Sequence, residues 1–213
     1  MKTLIINAHP DFNNENSFSY KLQELFLRKY KETFSNDTPE ILNLHAIDLP
    51  RIDTTQLLNI WDKQQTGKTM TEEEQHMSEI TNNLLFQFKS FHRIVIISPL
   101  HNFNVTSQLK DYIDNILIAR QTFKYTSEGS VGLMTDNYKA LYLQASGSIY
   151  TNDDRYTALD FSYNYLKAMF EDIMAFDTFY IARAQGTAIL TEETVLQNAE
   201  HDLDQVFNAF YNL

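Results

Sequence analysis

The chain has 213 residues, 43% of them hydrophobic and 21% charged, with a formal net charge of −11 and no cysteine. That length suits one domain with a sizeable core. The acidic balance argues against nucleic acid or an anionic membrane as partner, since both reward basic patches. Without cysteine there is no disulfide, thiolate nucleophile, iron–sulfur cluster or Cys-ligated zinc, so any redox chemistry must be carried by a bound cofactor.

Taken in order, apolar runs of strand length alternate with segments of helical period. TLIINA (3–8) reads as a buried strand, and SFSYKLQELFLRKYKETF (17–34) follows as a helix with Leu22, Leu25 and Phe26 at helical spacing. The first apolar run is short and leads straight into that helix, unlike a signal peptide. EILNLHAIDL (40–49) is a second strand running into a loop, and DKQQTGKTMTEEEQ (62–75) is a polar stretch expected as a mobile segment or helix lead-in. A helix over 72–90 precedes RIVIISPL (93–100), apolar enough to be buried on both faces. A helix is expected near 106–119, then RQTFKYTSEGSVGL (120–133) as an extended excursion closed by a turn around Glu128-Gly129. KALYLQAS (139–146) and DTFYIARA (177–184) are two more strands, with helices near 157–174 and 191–211.

Alternation of this kind implies right-handed crossovers onto a parallel sheet with helices on both faces. The expected fold is a three-layer α/β domain over residues 1–213, its five parallel strands in the order 2-1-3-4-5, with ligands at the carboxyl ends of the strands. No stretch approaches the roughly 18–20 apolar residues of a membrane span, and a cytoplasmic location is the expectation.

Three strand-end segments then carry the chemistry. In HPDFNNENSFS (9–19), Ser17 and Ser19 lie at a helix start, where free N–H groups and the positive dipole end favour an anion, and His9 can donate as well. The plainer account of that segment alone is that Asn16 or Ser17 caps the helix. In SPLHNFNVTSQLKDYID (98–114), Pro99 ends the strand, Asn102 offers an amide, and Phe103 a flat apolar face. The pair suits a planar heteroaromatic ligand, although an ordinary turn explains them too. Ser146-Gly147-Ser148 ends the fourth strand with small residues that let a ligand approach the backbone closely.

Together SPLHNFNVTSQLKDYID, RQTFKYTSEGSVGL and ASGSIY, spanning roughly 93–150, resemble the FMN-dependent NAD(P)H azoreductases and quinone reductases, which are homodimers of flavodoxin-like fold. The opening NAHP…SFS is similar to the quinone reductases among them, with His9-Pro10 standing where the azoreductases place a serine. By that resemblance Ser17, Phe18 and Ser19, assisted by His9, would hold the FMN phosphate. Pro99, Leu100, His101, Asn102 and Phe103 would line the isoalloxazine, with the backbone at Asn102 near its N5 edge. Ala145, Ser146, Gly147 and Ser148 would meet the pyrimidine edge, and Tyr150 would approach the ring. NADH or NADPH would reduce the flavin, and a quinone or azo compound would take the electrons in a ping-pong cycle. The alternative of another class is a non-catalytic flavin binder, an electron carrier or sensor. His101 is either a proton donor to the acceptor or a polar side chain lining the pocket. A departure from the family's Leu-Gly-Phe-x-Gly segment, at Phe170-Glu171-Asp172-Ile173-Met174, leaves the substrate range open. No metal site is expected.

Overall fold

Strand β1 (Thr3–Asn7) is buried along its whole length, as the unbroken apolar run requires. The computed structural model describes residues 2–213. Strands β2 (Glu40–Asn43) and β3 (Arg93–Pro99) flank β1 in parallel, and β6 (Lys139–Ser146) and β7 (Thr178–Gln185) continue the sheet beyond β3. The order is therefore β2-β1-β3-β6-β7, which is 2-1-3-4-5 when the strands of this sheet alone are counted. The intervening β4 (Phe123–Thr126) and β5 (Gly129–Gly132) form a separate antiparallel hairpin from the excursion at 120–133.

Alternate side chains on each strand serve opposite faces. Ile5, Val95, Ile97, Leu141 and Leu143 pack under helices α1 (Phe18–Thr33) and α6 (Glu192–Tyr211). Leu4, Ile6, Ile94, Ile96 and Tyr142 face the opposite layer. That layer contains α3 (Glu72–Ser90), α4 (Ser107–Ile116) and α5 (Phe161–Lys167). All five strands end at one edge, which brings the tails of β1, β3, β6 and β7 together.

Three expectations need correction. The polar stretch 62–75 is helical at both ends: the lead-in alternative describes its second half, and the helix in its first half was not expected. Its first residues finish a helix, α2 (Leu57–Thr66), which stops at Gly67 in left-handed conformation (φ 69°). The rest opens α3 with a capping box between Thr71 and Glu74. The helix expected over 106–119 stops at Ile116, and the one over 157–174 is composite. A 3₁₀ turn (Thr157–Leu159) leads into α5, which widens into a π-helical turn (Ala168–Ile173). There Glu171 Oε1 accepts the backbone N–H of Phe179 at 2.6 Å. Asp202 does the same for Arg183 at 3.2 Å, so two outward amides of edge strand β7 are capped by carboxylates.

Candidate functional site

The loop after β1 is built around Asn7, whose buried side chain accepts from His9 N at 2.9 Å and donates to Gln23 on α1. His9 Nδ1 in turn accepts from Asp11 N at 3.1 Å. That bond makes Nδ1 the acceptor and leaves Nε2–H as the donor. At the helix start Ser17 Oγ accepts from Tyr20 N at 3.1 Å and is the N-cap, as the plainer reading had it. The next two N–H groups, of Phe18 and Ser19, have no intrahelical partner by the geometry of a first turn. Ser19 is 1% exposed, and its Oγ has no hydrogen-bond partner among the described residues.

These groups open onto a cavity of about 200 Å³. His9, Phe18 and Ser19 form one wall, Pro99 and Leu100 a second, and Ala145, Ser146, Gly147 and Thr187 the third. Three of the expected segments thus meet in one place. A Cβ on Gly147 would come no nearer than 3.8 Å to Ala188, so its use here is openness rather than relief of a clash. Thr187 was not foreseen. It follows β7 at the same sheet edge, so the rule that ligands bind at strand ends would have found it had the fifth strand been inspected too. Its loop is laced to the one after β6: Gly186 N, Thr187 N and Ala188 N donate to the carbonyls of Ser148, Ser146 and Gly147, each at 3.1 Å.

Beside the cavity, residues 101–104 make a tight turn in which His101 and Asn104 exchange backbone hydrogen bonds of 3.0 Å. Asn102 (φ 47°) and Phe103 (φ 66°) are both left-handed, a conformation asparagine tolerates and phenylalanine rarely adopts. Their N–H groups have no backbone or side-chain acceptor among the described residues. The turn is tied down by Leu100 N to Ala145 O at 2.7 Å and by Phe161 N to Phe103 O at 3.1 Å. The side chains of His101, Asn102 and Phe103 are exposed and do not line the cavity, nor do Ser17, Ser148 and Tyr150. Tyr150 is buried close by, edge-on to Tyr156, and burial followed by the Asp160 charge raises its phenol above the ordinary value.

No Lys or Arg lines the cavity. The nearest cation to α1's first turn, Lys21, lies over the Phe18 ring and pairs with Glu192 at 2.7 Å. An anion here is met by neutral donors and the helix dipole. Two larger grooves, of about 690 and 720 Å³, run along α3 and the segment after β2. They share no residue with this cavity, and the helix start that reaches the second of them carries Glu72, Glu73 and Glu74, which disfavours an anion there. The smaller cavity is where the chemistry converges. No group of His, Asp and Glu among the described residues could hold a metal ion, and no helix there is long and apolar enough to cross a membrane.

A family model described as flavodoxin-like fold matches residues 1–207. Among similar proteins, an FMN-dependent NADH:quinone oxidoreductase 1 of Lactiplantibacillus plantarum is 53% identical over 213 residues, 99% of each chain. An FMN-dependent NADH:quinone oxidoreductase of Streptococcus agalactiae is 51% identical over 212 residues, covering 100% of this chain and 99% of its own. Among solved structures, an FMN-dependent NADH-azoreductase from Bacillus anthracis in complex with FMN superposes with a TM-score of 0.92 at 50% identity over 98% of each chain.

Proposed function

The chain belongs to the flavodoxin-like fold family, and on that premise we propose that the cavity at Ser19 receives the phosphate of FMN while the turn 101–104 borders the flavin. The protein is an FMN-dependent oxidoreductase that takes hydride from NADH and delivers it to quinones or azo compounds. The observation that carries the site assignment is the buried, unpartnered Ser19 hydroxyl beside two free helix N–H groups. A phosphate oxygen satisfies that hydroxyl, which otherwise stays buried at a cost of about 1–3 kcal/mol.

When bound, FMN supplies the hydride-accepting and electron-donating chemistry. The chain's own groups bind and orient it. Phe18 N, Ser19 N, Ser19 Oγ and His9 Nε2 are the donors for the phosphate. Ser17 keeps its hydroxyl for the helix and contributes by fixing the first turn. The N–H groups of Asn102 and Phe103 are the donors at the turn, and donors held in place before reaction stabilise negative charge without reorganising. Ala145, Ser146 and Gly147 give a small-residue wall, and Tyr150 lies buried beside them. The His101 side chain is exposed and stands off the cavity, and we assign it no proton transfer.

We take residues 1–213 as one FMN-binding unit, cytoplasmic, using the same flavin alternately for donor and acceptor. We also read it as a homodimer, because large apolar side chains stand unburied on the hairpin and at the turn. Tyr125 is 77% exposed, Phe161 49% and Phe103 40%. The test is anaerobic: purified protein should carry or take up FMN, bleach with NADH, and recolour when a quinone or azo dye is added. Protein that binds no FMN would sink the assignment. FMN that binds but never bleaches with NADH would mark an electron carrier or sensor instead.

A further inference from the structure

Just outside the cavity lies a buried polar knot centred on Asp160, which is 3% exposed. Its carboxylate accepts from Gln144 Nε2 at 2.9 and 3.0 Å, from Ser162 Oγ at 2.9 Å, from Tyr163 N at 3.0 Å and from Arg183 Nη2 at 3.4 Å. Ser162 also receives Gln144 Nε2 at 3.0 Å and the Tyr142 hydroxyl at 3.2 Å. Capping α5 needs only the bond from Tyr163 N, and a neutral serine or asparagine would supply it. Burying a full charge with this many partners calls for another reason, since its desolvation is costly unless every partner is in place.

The partners show what is being held. Gln144 and Arg183 are register neighbours on β6 and β7, so the carboxylate is anchored to two strands of the sheet. Gln144 immediately precedes Ala145, whose carbonyl holds Leu100 N. On the other side, Phe161 directly follows Asp160 and donates its N–H to the carbonyl of Phe103. Phe103 is the left-handed residue of the turn, and such backbone persists only where its surroundings hold it. Asp160 therefore stands between the rigid sheet and the strained turn.

We propose that Asp160 is a positioning residue for the flavin site: by fixing residue 161 against β6 and β7, it holds the 101–104 turn and its two free N–H groups in register with the cavity. The inference rests on the reading of that cavity as an FMN site. The test is Asp160→Asn, which keeps the shape and the cap but sets an amide N–H₂ against the N–H₂ of Gln144 and leaves Arg183 without its anion. FMN should bind about tenfold more weakly, and riboflavin should weaken in the same proportion, because the phosphate donors on α1 are untouched. The two-electron potential of bound flavin should become more negative. A tenfold extra loss on the reduced form reads as about 30 mV. Pairing Asp160→Asn with Gln144→Glu restores a carboxylate opposite an amide and should recover affinity and potential together. A merely structural role would lower the thermal midpoint while leaving the potential of the bound flavin unchanged. Should Asp160→Asn fail to fold, Ser162→Ala removes the hydroxyl that bridges Asp160, Gln144 and Tyr142, and the potential should move in the same direction. Wild-type potential and affinity in a folded variant overturn the proposal. A wild-type protein that binds neither FMN nor riboflavin overturns the FMN reading, and this inference with it.

Discussion

Ser19 and His45 are two of the residues that carry a buried polar atom without a hydrogen-bond partner among the described residues. At Ser19 the missing partner is an acceptor, and a hydrogen bond to a charged group contributes about 1.5–3 kcal/mol. Ser19→Ala should therefore weaken FMN by about ten- to a hundredfold in a fluorescence titration. It should leave riboflavin, which lacks the phosphate, unchanged. Equal losses for both ligands would remove the phosphate from this end of α1. His45 stands two residues past β2, matching His9 two residues past β1, because Asn43 pairs with Asn7 in the sheet. Its Nε2 is buried without a partner, and burial followed by the neighbouring His9 lowers its pKa below the usual value of 6.5. The folded state thus prefers the neutral ring more strongly than the unfolded chain does. Its contribution to stability is complete above pH 6.5 and is lost as pH falls through the folded value. Urea midpoints measured from pH 7.5 down to 5 should decline, and less steeply in His45→Gln; parallel slopes would exclude His45 as a source. His9 was legible in the sequence because it follows a buried strand. His45 was not, because only the register brings it alongside.

At the scale of elements, what the sequence announced was what periodicity can announce. The five sheet strands stand out as apolar runs, and α3 and α6 as long helical periods. The hairpin was visible in Thr122 to Gly132 from its length and its Gly129, which takes a φ of 127°. What stayed hidden depends on contacts distant in sequence. Helix α2 buries only Leu57 and Ile60 and is otherwise polar, so it shows little apolar period. The π turn over 168–173 comes from packing, and Glu171 there became legible only once Phe179 N was seen against it. Likewise the three loops of the site could be located by the rule of strand ends, but not Thr187's place among them or the Asp160 knot beneath. Gly132 belongs to this hidden class. A Cβ there would fall 2.4 Å from both the Ala175 Cβ and the Met174 carbonyl carbon, where the hairpin closes on the end of the π turn. Much of that obstruction is backbone, so it cannot move aside cheaply. Gly132→Ala should cost about 1–3 kcal/mol in denaturant unfolding and loosen the hairpin. An unchanged unfolding midpoint would show that the hairpin floats free of the π turn.

The whole molecule couples an acidic surface to a site for anionic ligands. The unburied Tyr125, Val131 and Leu133 on and beside the hairpin are apolar surface of the kind that marks association. Sedimentation at micromolar concentration should give about twice the 24.9 kDa of one chain, and a stable monomer would count strongly against the dimer. Charge acts over longer range. With a formal net charge of −11, the protein repels NADH and sulfonated azo dyes as they approach. The neutral donors lining the cavity take over only at contact. Salt shortens the reach of that repulsion, to about 10 Å at 0.1 M. Consequently kcat/KM for NADH and for an anionic dye should rise with ionic strength, while a neutral quinone should be nearly indifferent. If FMN is held at Ser19 as proposed, its binding should respond little to salt, because short-range hydrogen bonds are weakly screened. A fall in kcat/KM for NADH with added salt would mean that a local positive field, rather than the net charge, governs entry, and would direct attention to the exposed Lys124 and Arg155.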